Sequence, residues 1–186
     1  MKRIYVLALA ACCFALASFS IPKGWQKAGS DPGSYAIGVE AGAGISGSKA
    51  GTIQSARDRI TGHGMMMQEF RPGRYRGKKI RMTGYMRSQD VERWAGFWLR
   101  IDGEPGYKAL AFDNMQDRPI KGTTGWTKYE IVLNVSEDAK NIAFGALLDG
   151  PGKIWFDNIR FEVVNEPTGP KGTIIYREPL NLDFEN

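Results

Sequence analysis

Cysteine is nearly absent from this chain of 186 residues: Cys12 and Cys13 stand side by side near the start and nothing follows them. A domain formed by the rest of the sequence therefore has no thiol for a disulfide or a thiolate-held metal. Histidine is scarcer still, with His63 alone between Gly62 and Gly64, which excludes sites built from several imidazoles and suits an exposed bend. No Gly-x-Ser-x-Gly segment offers a nucleophile elbow. Gly42, Gly44, Gly47 and Gly51 lack the Gly-Lys-Ser/Thr ending of a phosphate loop and read as a linker or hairpin. A dominant charge is missing too: the formal +5 falls to +3 once Lys2 and Arg3 are set aside, too little for a nucleic-acid signature. The basic cluster Arg71, Arg74, Arg76, Lys78, Lys79 and Arg81 is broken by Pro72, Gly73 and Gly77, so it reads as a solvated turn and strand edge.

Long apolar runs are absent after the first residues. Ile4 to Ala17 follows Lys2-Arg3 and is too short to cross a bilayer readily as a helix, an organisation that reads as a secretory signal within residues 1–20. Ala15-Leu16-Ala17 offers a small-x-small cleavage site, and Ser18-Phe19-Ser20 a weaker one. The competing reading is a lipoprotein signal, since Leu9-Ala10-Ala11-Cys12 resembles a lipobox in which Cys12 is lipidated. The expectation is an exported chain, periplasmic or extracellular, with no transmembrane span in its mature part; the alternative is a membrane-anchored lipoprotein.

What is present is core material. Hydrophobic residues make up 42% of the chain, with five Trp, nine Phe and seven Tyr, enough for one compact domain. The apolar residues fall in short segments: Tyr35 to Val39, Gly51 to Ser55, Gly64 to Phe70, Lys79 to Arg87, Trp94 to Ile101, Tyr107 to Phe112, Trp126 to Val135, Ile142 to Leu148 and Ile154 to Val164. These lengths suit strands. Ala95, Phe97, Leu99 and Ile101 alternate with Trp94, Gly96, Trp98 and Arg100, and Tyr129, Ile131, Leu133 and Val135 repeat the pattern. Ile154, Phe156, Ile159, Phe161 and Val163 need one phase break near Asp157-Asn158, which a bulge supplies. Alternation also puts Met65 and Met67 opposite Met66, so packing explains this triplet better than a soft-metal site. Turn chemistry separates the segments at Asp102 to Gly106, Lys121 to Gly125 and Asp149 to Gly152. Residues 21–34 read as an irregular entrance anchored by Trp25. An all-β, antiparallel sandwich over residues 21–164 follows, with residues 165–186 as a C-terminal extension.

Trp94 to Asp102, Leu110 to Gly122, Gly125-Trp126 and Ile154-Trp155-Phe156-Asp157-Asn158-Ile159-Arg160-Phe161 resemble jelly-roll modules of the galactose-binding-like type, a group that includes bacterial extracellular carbohydrate-binding modules. The resemblance covers about Gly24 to Val164 and implies a jelly-roll sandwich. Such modules pair a late Asp, here Asp157, with an early Asn-x-x-Phe-Glu strand, sometimes around a structural calcium. The early strand is missing, and Asn181-Leu182-Asp183-Phe184-Glu185 stands at the other end of the chain. This segment either adds a closing strand or goes unused; the alternation of Leu182 and Phe184 points to a tail packing beside the N-terminal region as an additional strand, and the resemblance implies Asp157 with Asp183 as calcium ligands. These two side chains fall short of the six to eight oxygens calcium takes.

Ligand binding is expected at Trp94, Trp98, Arg100, Tyr107, Asn114, Gln116, Asp117 and Arg118. Indole rings suit the apolar faces of sugars, and the polar groups suit hydroxyls. Trp94 and Trp98 are preferred over Trp126 and Trp155 because the opposite face of their strand already supplies a core. The alternatives are core packing for the aromatics, local Asx turns for residues 113 to 118, and surface ion pairs of Arg100 and Arg118 with Asp102 and Asp117. The leading expectation is a noncatalytic module binding carbohydrate or another cell-envelope component, without cofactor. A module that binds an envelope protein is the first alternative, and hydrolysis by carboxylates such as Glu92, Asp102, Glu104, Asp113 and Asp117 is the weaker one.

Overall fold

The computed structural model describes residues 19–106, 108–165, 179 and 181–185. The leader with Cys12, the proposed ligand residue Tyr107 and the stretch Thr173 to Tyr176 lie outside them. The strands are β1 (Gln26–Gly29), β2 (Tyr35–Glu40), β3 (Ala50–Ser55), β4 (His63–Phe70), β5 (Lys79–Asp102), β6 (Ala111–Asp113), β7 (Ile120–Asn134), β8 (Asn141–Asp149) and β9 (Lys153–Asn165). All pairings among them are antiparallel. Two three-residue 3-10 turns, Pro32–Ser34 and Gly73–Tyr75, are the only helical segments among the described residues.

The two segments expected at Lys79 to Arg87 and Trp94 to Ile101 are one strand of 24 residues. Its first half pairs with β7 and β9, and its second half with β8 and β6. One sheet therefore runs β1-β4-β8-β5-β6 and the other β7-β5-β9-β3-β2, sharing β5 at a corner. The corner is at Asp90, where φ is 50° and the ladder to β7 slips. Thr123 holds it, its hydroxyl accepting from Asp90 N at 3.0 Å and donating to the Asp90 carboxylate at 3.2 Å. This is the expected jelly-roll sandwich.

The core lies between the sheets. Ala95, Phe97, Leu99 and Ile101 of β5 meet Ile142, Phe144, Ala146 and Leu148 of β8, with Ile53, Phe156 and Ile159 from the other sheet. The phase break in β9 is a bulge at Asn158, whose φ is 53°, and β5 pairing shifts there between Thr83 and Tyr85. Four boundaries depart from expectation. Gln26–Gly29 is a strand, β7 begins six residues before Trp126 and absorbs the expected turn at Lys121, and β6 is only three residues long. At the C-terminal end, residues 181–185 form no strand but an irregular segment that plugs the core. Phe184 is fully buried, its ring 5.3 Å from that of Trp25 and 5.2 Å from that of Phe156. Backbone bonds replace a ladder: Trp25 Nε1 donates to Asn181 O at 3.2 Å and Ile159 N to Leu182 O at 3.3 Å.

Candidate functional site

The face of β1-β4-β8-β5-β6 turned away from the core carries a second, smaller apolar layer. Register pairing puts Met67, Gly145 and Trp98 in one row, and Met65, Leu147 and Gly96 in the next. Trp98, Ala143 and Leu147 are buried in this layer, with Met65, Met67 and Trp94 half-buried around them. The alternation that sends Phe97 and Leu99 inward sends Trp94 and Trp98 outward, as expected, but the outcome differs for the two rings. Trp98 is only 3% exposed, because long neighbours on both flanking rows close over it. The expected open platform of two indoles is thus corrected: Trp98 is its floor, and Trp94, Met65 and Met67 form its accessible part. Trp98 Nε1 is a buried donor with no acceptor among the described residues. Gly145 lets β4 and β8 approach here, since a Cβ at that position would collide with the Met66 carbonyl.

The polar end of this face lies one row beyond Trp98. Arg100 forms a fork with Asp102, its Nε 2.8 Å from Oδ1 and its Nη2 3.1 Å from Oδ2. Asn141 Nδ2 donates to Asp102 Oδ2 at 3.4 Å and to Glu69 Oε2 at 3.2 Å, so β5 contributes two members, Arg100 and Asp102, and β4 and β8 one each. A cleft of about 500 Å³ opens between these residues, the Gly103 to Gly106 turn and Lys140. Arg100 was read from the sequence. Glu69 and Asn141 were missed, although the alternation of Gly64 to Phe70 and Ile142 to Leu148 places both on the Trp98 face.

The loop from Asn114 to Arg118 does reach this face, since a Cβ on Gly96 would meet Met115 Cβ at 3.2 Å and Asn114 O at 3.4 Å. Its polar groups are mostly spent on the loop itself. Asp113 accepts from Met115 N at 2.8 Å and Asn114 from Gln116 N at 3.2 Å, the Asx-turn alternative. Arg118 is divided between Asp113 at 2.7 Å and Asp117 at 2.8 Å, and hydrogen bonding to Asp113 raises its pKa further. Gln116 and Asp117 remain exposed. Four of the five carboxylates considered for hydrolysis are likewise engaged: Asp102 by Arg100, Asp113 and Asp117 by Arg118, and Glu104 by Lys140 at 2.9 Å.

Asp157 and Asp183, the residues expected to hold calcium, each have other hydrogen-bond partners in this structure. Among the described residues no group of three or more acidic, His or Cys side chains is gathered for a metal. The oxygens of Asp157 are taken by backbone: Oδ2 accepts from Ile45 N at 3.2 Å and Oδ1 from Asn158 N at 2.6 Å. Asp183 is exposed and Glu185 accepts from Lys49 N at 2.7 Å. Burial is the main cause that pushes the Asp157 pKa up, and the charges of Glu185 and Asp183 add to it against the two backbone donors.

No family model matches the chain. It is 37% identical over 169 residues to an uncharacterized HTH-type transcriptional regulator, YbfP, of Bacillus subtilis (strain 168). The match covers 88% of this chain and 57% of that protein, so the chain spans little more than half the length of this relative. Among solved structures, the CBM22-1 xylan-binding domain of Paenibacillus barcinonensis Xyn10C superposes with a TM-score of 0.57 at 11% identity, covering 81% of this chain and 92% of that one. A family 16 carbohydrate-binding module gives 0.54 at 12% identity, over 75% and 91%. The enzymatically active domain of a bacteriophage CBA120 tailspike protein gives 0.57 at 10% identity, over 76% of this chain and 20% of that one. At these identities the likeness establishes the fold, the β-sandwich of carbohydrate-binding modules.

Proposed function

We propose that this chain is a noncatalytic carbohydrate-binding module, exported or anchored outside the cytoplasm, whose ligand lies across the β4-β8-β5 face. One observation carries the reading: an apolar strip of Trp94, Met65 and Met67 over a Trp98 floor runs directly into the Glu69-Arg100-Asp102-Asn141 cluster. An apolar strip takes the C–H face of a sugar ring, and charged or amide groups beside it take the hydroxyls. Charge-assisted bonds of this kind give direction as well as strength. The sandwich of carbohydrate-binding modules supports the same reading at the level of fold.

A panel of immobilised neutral polysaccharides, xylan and galactan among them, tests it. The folded chain is expected to be retained on at least one, and Trp94→Ala or Asn141→Ala to be retained at least tenfold less. A folded chain retained by none overturns the proposal.

The Bacillus relative favours a second reading, a sensing module joined to a DNA reader. No α-helix occurs among the described residues, so the part this chain shares with that regulator is not expected to hold its helix-turn-helix. The same face would then take a short soluble sugar. Calorimetry with oligosaccharides against polymers separates the two: binding confined to short sugars favours the sensor, and retention on polymer favours the exported module.

A further inference from the structure

The outward face of the other sheet holds a second aromatic row. Trp155 of β9 pairs in register with Arg87 of β5, and the Met86–Thr127 pair sets Trp126 of β7 on the far side of Arg87. The Arg87 guanidinium carbon lies 4.1 Å from the Trp155 ring centroid and 5.4 Å from that of Trp126. Lys153 Nζ stands 4.5 Å from the Trp155 ring and 5.7 Å from that of Phe19, which extends the alternation of ring and cation. Trp155 is locked by a 2.8 Å bond from its Nε1 to Glu40 Oε2, and the same oxygen pairs with Lys153 at 2.8 Å.

The acids on this face are already committed. Glu40 serves Lys153 and Trp155, Glu130 and Glu162 both serve Arg81 at 3.3 and 2.7 Å, and Asp157 is buried against backbone donors. Three of the cations are not. Arg87 has ring contacts but no carboxylate among the described residues, and its Nε is buried without an acceptor. Lys128 and Arg160 are exposed and form no ion pair among the described residues. They flank a cleft of about 300 Å³ lined also by Ile45, Thr83, Tyr85 and Asn158. Lys128 pairs in register with Tyr85 and Arg160 with Thr83, so Arg87, Lys128 and Arg160 stand in three successive rows along β5. Two residues of strand rise about 7 Å, which sets roughly one unmatched cation per row.

We infer that this face is a second binding site, for a linear polysaccharide bearing carboxylates, with a sugar ring on Trp126 and carboxylates on Arg87, Lys128 and Arg160. It is separate from the β4-β8-β5 face, lying on the other sheet of the sandwich. Guanidinium and ammonium groups take carboxylates through charge-assisted bonds, and an indole beside them takes the ring. A stacked nucleobase fits less well, since Arg87 already lies on the Trp155 ring and Trp155 is only 7% exposed.

Affinity electrophoresis through gels containing polygalacturonate tests the site, with xylan gels and a single-stranded DNA oligonucleotide as the other arms. The chain is expected to be retarded by polygalacturonate, less so with rising salt. The exposed double variant Lys128→Glu, Arg160→Glu, at positions that pack no core, is expected to bind at least tenfold more weakly while keeping its circular dichroism and its behaviour on xylan. Trp94→Ala is expected to leave the polygalacturonate shift unchanged, so failure of the first face and failure of this one read out separately. No retardation by polygalacturonate, equal retardation of the double variant, or preference for the oligonucleotide overturns the inference.

Discussion

Tyr35 and Asp157 show what burial does to a single ionisable group in this sandwich. Tyr35 is 4% exposed and its hydroxyl donates to Gly62 O at 2.8 Å and Gly150 O at 3.1 Å, tying the loop before β4 to the β8–β9 turn. Burial, with Asp149 adding to it, pushes its pKa up to about 12 from 10.0. A raised folded value means the neutral phenol is the stable form, so its contribution is complete below pH 10 and is lost as pH rises through 12. Tyr35→Phe is expected to cost about 1–2 kcal/mol at pH 7 from the lost bonds, measured by urea unfolding, and to remove this part of the alkaline decline. Asp157 has the same sign in a lower range. Its pKa is raised above 3.8, so the stability tied to its protonated form is present below that pH and fades as pH rises. The urea midpoint of the wild-type chain is therefore expected to fall relative to that of Asp157→Asn as pH is raised from 3.8 toward neutrality. A constant difference between the two would mean that Asp157 does not titrate in that range.

At the scale of elements, the alternating strands were legible and the corners were not. Residues 95 to 101 and 129 to 135 announced their faces because period-two alternation has one solution when one side meets a core. The continuity of β5 through Asp90 was hidden, since a strand that turns a corner reads as two segments with polar residues between them. β1 was hidden for another reason. Gln26 to Gly29 has little β propensity, and pairing with Met65 and Met67 decides its state. The candidate site was half legible. Trp94, Trp98 and Arg100 sit on the expected face, but the burial of Trp98 depends on Met65, Met67 and Leu147 from other strands, which no local pattern reveals. The closeness of β4 and β8 gives a test of that layer. Gly145→Ala places a methyl against the Met66 carbonyl, a backbone atom that cannot swing away, and overpacking of this kind costs roughly 1–3 kcal/mol. Thermal unfolding is expected to show this loss, and Gly125→Ala, whose Cβ meets nothing within 4 Å, is expected to be far milder.

For the whole molecule, the sandwich is completed by residues from both extremes of the sequence. Phe184 fills the space between Trp25 and Phe156, and Phe184→Ala is expected to cost about 3–5 kcal/mol, as for other fully buried Phe residues. The other extreme bears on processing. Val39 N donates to Ser20 O at 3.0 Å, Ser20 bridges Val39, and Phe19 lies against Gly38, where a Cβ would collide with it. Of the two cleavage positions read from the sequence, removal after Ser20 would strip this contact from the β2 edge and the Phe19 ring from Lys153. Removal after Ala17 would keep both. If the chain is exported as proposed, its N-terminus is therefore expected to be Ser18 when sequenced. A chain starting at Ile21 is expected to melt several degrees lower than one starting at Ser18, because each kcal/mol lost moves the midpoint by roughly 2–4 °C at this size. Equal melting temperatures, or an exported chain that begins at Ile21, would place Phe19 and Ser20 outside the working domain and leave the ring-and-cation alternation to end at Lys153.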